Sequence, residues 1–217
     1  MATLKIVQLI INDIYFKHNQ EYYSDVDMRS RLTEEALKGL KYTRKEDFDN
    51  AKKHLIRLFA WQVAFANRLG IDLDAVLWHK YPAICPYCLT EENCVCFPRN
   101  LNYDENKPEL IVAREKVCLK PASLNDWQAT FAKIYKSVNQ IKMFIQVWQH
   151  LCEEMGEISR AHRMGDTENL KEEFADGIAQ TFAVCTRFGL NLEQIFFEQY
   201  GGHCDVCHKS QCECSII

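Results

Sequence analysis

Five acidic side chains stand at spacings that only two helices could bring together. They are Glu153, Glu154 and Glu157 in the run E-E-x-x-E, then Glu173 and Asp176 in E-x-x-D. Residues three and four apart share a helix face, so Glu154 and Glu157 point the same way, with Glu153 at the edge of that face. Glu173 and Asp176 repeat the spacing, and a turn around Gly165 and Asp166 would set the two helices antiparallel with four carboxylates facing one another. Such a cluster does not stay ionised without a counter-charge. Its hard oxygen ligands suit Mg²⁺ or Mn²⁺, which in turn hold phosphates. Either pair alone reads as a solvated helix face; the two together, on consecutive helices, set the stretch apart.

Sulfur forms the second constellation. Eight of the 11 cysteines fall in two runs, Cys85-x2-Cys88-x5-Cys94-x-Cys96 and Cys204-x2-Cys207-x4-Cys212-x-Cys214. The N-terminal stretch lacks the basic flank and small-residue cleavage site of a leader, and no apolar run approaches the roughly 18 residues of a membrane span, so a cytoplasmic protein is expected. Clustered thiols in a reducing compartment bind metal more readily than they form disulfides. Each run supplies the four thiolates of a closed tetrahedral Zn²⁺ site, which leaves no position open for water and makes the two zinc ions structural. His203 and His208 flank the second run and are not needed by it. Cys118, Cys152 and Cys185 remain as inert thiols. A net charge of -4 and the absence of a basic stripe argue against a dedicated nucleic-acid binder.

The elements that must carry these groups read as helices throughout, with almost no strand signal. Helical periodicity runs through LKIVQLIINDIYFKH, through roughly residues 25–41 and 46–69, and through a short DLDAVLWHKY that leads into the first cysteine run. Residues 97–122 hold three of the five prolines and no clear helical face, which predicts a linker with a short extended piece at LIVA. Helical patterns then return in the order of the first part.

That order is a tandem duplication. Adding 119 takes Glu34 and Glu35 to Glu153 and Glu154, Asp47 to Asp166, Gly70 to Gly189, Tyr81 to Tyr200, and Cys85 and Cys88 to Cys204 and Cys207. One residue fewer in the second loop aligns Cys94 with Cys212 and Cys96 with Cys214. The expected fold is therefore all-α: two copies of one helical unit, at 1–96 with a knuckle at 85–96 and at 123–217 with a knuckle at 204–214, joined by the 97–122 linker. The copies differ where chemistry would be done, because Lys38, His54 and Arg57 stand where the second copy has Glu157, Glu173 and Asp176. A metal cluster cannot be built from a lysine and an arginine, so the second copy alone is expected to carry a site.

The acidic pattern resembles that of the MazG-like, all-α nucleotide pyrophosphohydrolases: E-E-x-x-E, a spacer of one or two dozen residues, then E-x-x-D. The following FGLNLEQIF also looks like the family's continuation, and the resemblance covers roughly residues 124–200. It implies hydrolysis of a nucleoside triphosphate to the monophosphate and pyrophosphate, with Glu154, Glu157, Glu173 and Asp176 holding Mg²⁺ and Glu153 orienting a ligand or positioning water. Family members build their helical core from two subunits, so it also implies an internal pseudo-dimer here; a further pairing of whole chains stays open.

Substrate contacts are less sharply marked. Lys171 and Arg163 lie near the cluster in sequence, and Trp127, Phe131, Trp148 and Gln180 are candidates to line a base pocket. Lys38, His54 and Arg57 either reach across to the phosphates or neutralise Glu34 and Glu35. Lys80 keeps a basic position that Gln199 replaces in the second copy, which predicts one phosphate contact fewer at the site. The knuckles depart from the family pattern and are expected to clamp helix ends. The competing reading of the whole chain is a non-catalytic zinc protein, a nucleotide sensor or partner-binding module on the same scaffold.

Overall fold

A computed structural model describes residues 2–96 and 106–215, and all regular structure among them is helical. In chain order the helices are α1 Leu4–Tyr22, α2 Asp25–Arg44, α3 Phe48–Arg68, α4 Leu73–Lys80, α5 Lys107–Glu115, α6 Leu124–Ile134, α7 Lys136–Ile141, α8 Phe144–Met164, α9 Thr167–Arg187 and α10 Leu192–Tyr200. No helix among the described residues is long and apolar enough to cross a membrane.

The duplication is visible in the elements themselves. Adding 119 to the bounds of α3 gives those of α9, and the same shift takes α2 and α4 onto α8 and α10 to within a residue at each end. Local determinants repeat as well. The Asp47 side chain accepts from Asn50 N to start α3, and Asp166 accepts from Asn169 N to start α9. The turn before each uses a left-handed residue, Glu46 at φ 58° and Gly165 at φ 69°, the second without the steric cost of a Cβ.

α2 packs on α3 and α8 on α9, and the two hairpins meet through α2 against α8 and α3 against α9. One buried cluster runs through both halves, from Leu4, Val7 and Leu32 to Phe182, Leu192 and Phe196. Trp148 of α8 lies so close to α2 that a Cβ at Gly39 would fall 1.9 Å from its ring, and its Nε1 donates to Ala36 O at 2.8 Å. The short fourth helices cross over: α4 of the first half packs on α9 of the second, and α10 of the second packs on α3 of the first. This exchange positions the candidate site.

Two local expectations are corrected. LIVA is helical, lying within α5, where Pro108 occupies the first turn and Leu110 is buried; the β-branched pair Ile111 and Val112 suggests a strand, but proline at a helix start is pre-set for the helix. Residues 97–105 of the predicted linker lie outside the described residues. The first helix of the second half, whose pattern predicts one stretch through SLNDWQATFAKIYKSV, is also broken at Tyr135. The first knuckle sits on it, with Asn93 N donating to Lys133 O at 3.2 Å and Cys94 N to Ile134 O at 2.7 Å, so those carbonyls serve the knuckle and α6 ends.

Candidate functional site

α8 and α9 bring carboxylate oxygens of Glu154, Glu157 and Glu173 within 4.8 Å of one another. Glu154 is 6% exposed, and one of its oxygens, Oε2, has no hydrogen-bond partner. The other meets His150 Nε2 at 2.9 Å, one turn earlier on α8. Burial raises the Glu154 carboxyl above its ordinary range; the His150 contact opposes that, and Asp176 and Glu157 add to it. Burial, then Asp176 and Glu157, push Glu173 up to about 7. The bond to Glu154 holds His150 above its usual value, against burial. Three carboxylates in close approach, one with a bare buried oxygen, form a donor set that a divalent cation would satisfy.

Asp176 stands beside this group with both oxygens engaged. Lys80 Nζ donates to Oδ2 at 2.6 Å and Tyr81 Oη to Oδ1 at 2.5 Å. Both donors come from the first half, carried there by the crossing of α4. Lys80 is 4% exposed, and although burial would lower its ammonium, Asp176 holds it above the ordinary value. Burial and then Asp176 keep the Tyr81 phenol well above its usual range, so it remains a donor. Gln199, at the position Lys80 holds in the other copy, lies on the opposite side, with Nε2 donating to Asp205 at 3.4 Å, and the basic residue on Asp176 is Lys80.

A cavity of about 490 Å³ opens beside the cluster at Glu154, walled also by Asp176, His150, Gln180, Tyr81, Tyr87 and Tyr135 and by Cys94 and Cys96. The knuckle of the first half thus forms a wall of the second half's cavity. Gln180 lines it, its Nε2 donating to Val147 O at 2.8 Å. Trp127, Phe131 and Trp148 do not; each is at most 1% exposed and belongs to the core. Lys171 is held by Glu168 in a surface pair at 2.7 Å, and Glu153 is exposed at the rim of α8. Lys38 and Arg57 line a different cavity: Lys38 pairs with Glu34 and His54 with Glu35, as the neutralising reading expects, while Arg57 pairs with Asp205 at 2.9 Å. Sequence reasoning missed His150, although its i, i+4 spacing to Glu154 is legible, and Tyr81, Tyr87 and Tyr135, whose roles depend on tertiary crossing.

Each four-cysteine run closes on itself, its sulfurs within 4.8 Å of one another and without a histidine among them. The nearest separations are 3.5 Å for Cys85 to Cys94 and to Cys96, and 3.6 Å for Cys204 to Cys212. Tetrahedral Zn²⁺ with bonds of about 2.3 Å spaces its sulfurs by about 3.8 Å, so both sets fit that ion. Hydrogen bonding from Cys94 lowers the Cys85 thiol to about 5 even against burial. The bond to Cys85 raises Cys94, and burial raises Cys96, so ionising those two as well calls for a cation among them.

No family model matches the chain, and neither a characterised protein nor a solved structure does.

Proposed function

We propose that the chain is a Mg²⁺- or Mn²⁺-dependent nucleoside triphosphate pyrophosphohydrolase of the MazG-like kind, an internal pseudo-dimer with one competent site, in its second half. The observation that carries this is the carboxylate triad of Glu154, Glu157 and Glu173, with a buried unpartnered oxygen on Glu154, beside a cavity that Glu154 and Asp176 line, with buried Lys80 held on Asp176. When bound, a divalent cation supplies charge neutralisation for the triphosphate and activation of water.

The chain's own residues do the rest. Glu154 is fixed by His150, and Glu157 and Glu173 complete the donor set. Asp176 holds the Lys80 ammonium beside the carboxylates, where it offsets their charge, and Glu153 at the rim orients the attacking water. Water adds to phosphorus as the anhydride P–O bond breaks, giving the nucleoside monophosphate and pyrophosphate, with one proton passing to solvent or a carboxylate. The tyrosines and Gln180 form the wall against which a base would lie. The thiolate knuckles serve as structural zinc sites that hold those walls in place.

Pyrophosphate release from a panel of canonical and modified nucleoside triphosphates, with Mg²⁺ or Mn²⁺, tests the reading. Release should depend on the metal, should fall in Asp176→Asn by the roughly 10–100-fold that losing an outer partner of a metal site costs, and should fall further in Glu157→Gln. Folded, zinc-loaded protein that turns over no nucleotide would overturn it in favour of the non-catalytic binding module.

A further inference from the structure

The first half keeps the cavity and, of its acids, only Glu34 and Glu35. A space of about 430 Å³ is lined by Glu35, Arg57, Ala60 and Ala64, which the 119-residue shift takes onto Glu154, Asp176, Ala179 and Ala183 of the other cavity. Both volumes lie in the range of roughly 300–1,000 Å³ typical of small-molecule sites. The first cavity takes its far wall from the second knuckle, as the second takes its own from the first.

Its charges are arranged in two tiers. The inner pairs are closed: His54 Nδ1 lies 2.7 Å from Glu35 and Arg57 Nη2 lies 2.9 Å from Asp205, with both carboxylates at most 9% exposed. At the outer tier two cations converge on one carboxylate, Arg31 Nη1 at 2.9 Å and Lys38 Nζ at 2.6 Å from Glu34. This trio is open to solvent, with exposures between 29% and 45%, and exposed pairs contribute little to stability. Beside it Tyr23 and Trp61 meet edge to face at 5.2 Å, with Trp61 in the place that Gln180 holds in the other cavity. His18 lines the same space, 7% exposed, with its Nδ1 unpartnered.

We propose that this cavity is a second nucleotide site, which binds a nucleoside monophosphate without a divalent cation. The phosphate takes the place of Glu34 between Arg31 and Lys38, and the base lies against Trp61 and Tyr23. Two outer cations match the charge of about −1.5 to −2 on a terminal phosphate. The longer charge of a triphosphate meets, among the described residues that line the cavity, no further lysine or arginine but Arg57, which Asp205 holds, and a zinc-thiolate centre alongside would be anionic. The ligand's class rests on the nucleotide reading of the other cavity, whose product is such a monophosphate.

Isothermal titration of a panel of nucleoside monophosphates into full-length, zinc-loaded Glu154→Gln/Glu157→Gln protein, in buffer free of Mg²⁺ and Mn²⁺, tests the proposal. One site per chain is expected, weakened about tenfold or more by Arg31→Ala and by Trp61→Ala. Glu34→Gln should tighten binding severalfold, a gain that misfolding cannot produce. Nucleosides and inorganic phosphate, titrated alone, should each bind more weakly than the monophosphate. Absence of metal-free binding at millimolar nucleotide, or binding that ignores all three substitutions, would overturn it. Pyrophosphate release by the unsubstituted chain decides the other reading separately: turnover without metal-free binding removes this inference alone, and metal-free binding without turnover removes the enzyme alone.

Discussion

At the scale of residues, Glu173 links the candidate metal site to stability. Its carboxyl titrates at about 7 in the metal-free fold, driven up by burial and then by Asp176 and Glu157, against about 4.3 in an unfolded chain. Between those values the native state binds more protons than the unfolded state, so stability present below about 4.3 is lost as pH rises through about 7. Glu173 is only half-buried; with solvent screening the loss is about 1 kcal/mol, or roughly 2–4 °C in a chain of this size. Zinc-loaded protein without Mg²⁺ should therefore melt lower at pH 8 than at pH 5, and Glu173→Gln should flatten the profile. Millimolar Mg²⁺ should raise the melting temperature more at pH 8, where no proton competes for the carboxylates. The acids themselves were legible because helical spacing alone fixes their common face. The partners of Asp176 were not: Lys80 and Tyr81 lie about a hundred residues away, in the copy that lacks the acidic set.

At the scale of elements, each knuckle belongs in sequence to one half and in space to the other. The first is fastened to the second half by Asn93 and Cys94, which donate to α6, and by Ser137 Oγ, which donates to Cys94 O at 2.8 Å. Its loop supplies Tyr87, Cys94 and Cys96 to the acidic cavity. The second is fastened to α1, with Cys212 N donating to Ile14 O at 2.8 Å. Cys88→Ser should therefore release one zinc per chain and reduce pyrophosphate release at least tenfold, the scale on which lost outer support acts. Cys207→Ser should release the other zinc and lower the melting temperature while leaving turnover within about twofold. Zinc content and turnover, read on the same samples, check the asymmetry; equal losses from both substitutions would show that the knuckles act only through overall stability. Spacing made the two thiol clusters legible. Their placement was not, because a cysteine run specifies its own closure and says nothing of the helix it lands on, and the break at Tyr135 follows from that landing.

At the scale of the whole molecule, the duplication is legible from one shift of 119 residues, whereas the crossing of α4 and α10 is not, since spacing along a chain cannot say which copy of a helix pair a short helix packs against. The crossing makes the site a joint product of both halves. Glu154, Glu157 and Glu173 come from one, Lys80, Tyr81 and Tyr87 from the other, and a single buried cluster runs between them. Polar contacts also cross it: Thr181 Oγ1 donates to buried Gln62 Oε1 at 3.0 Å, and Leu124 N donates to Ala2 O at 2.8 Å. None of these contacts depends on the peptide link between residues 97 and 105. A chain severed there and co-expressed as two pieces should therefore assemble one-to-one and retain pyrophosphate release, with assembly now dependent on protein concentration. The second piece alone can only pair with itself, which would place Gln199 where Lys80 stands and leave Asp176 without its ammonium. It should form a weak, nearly inactive dimer, and Gln199→Lys in that piece should raise its turnover. Full activity in the unsubstituted second piece, by size-exclusion chromatography and a release assay, would show that the first half contributes nothing to the chemistry and that the Lys80 to Asp176 contact is only structural.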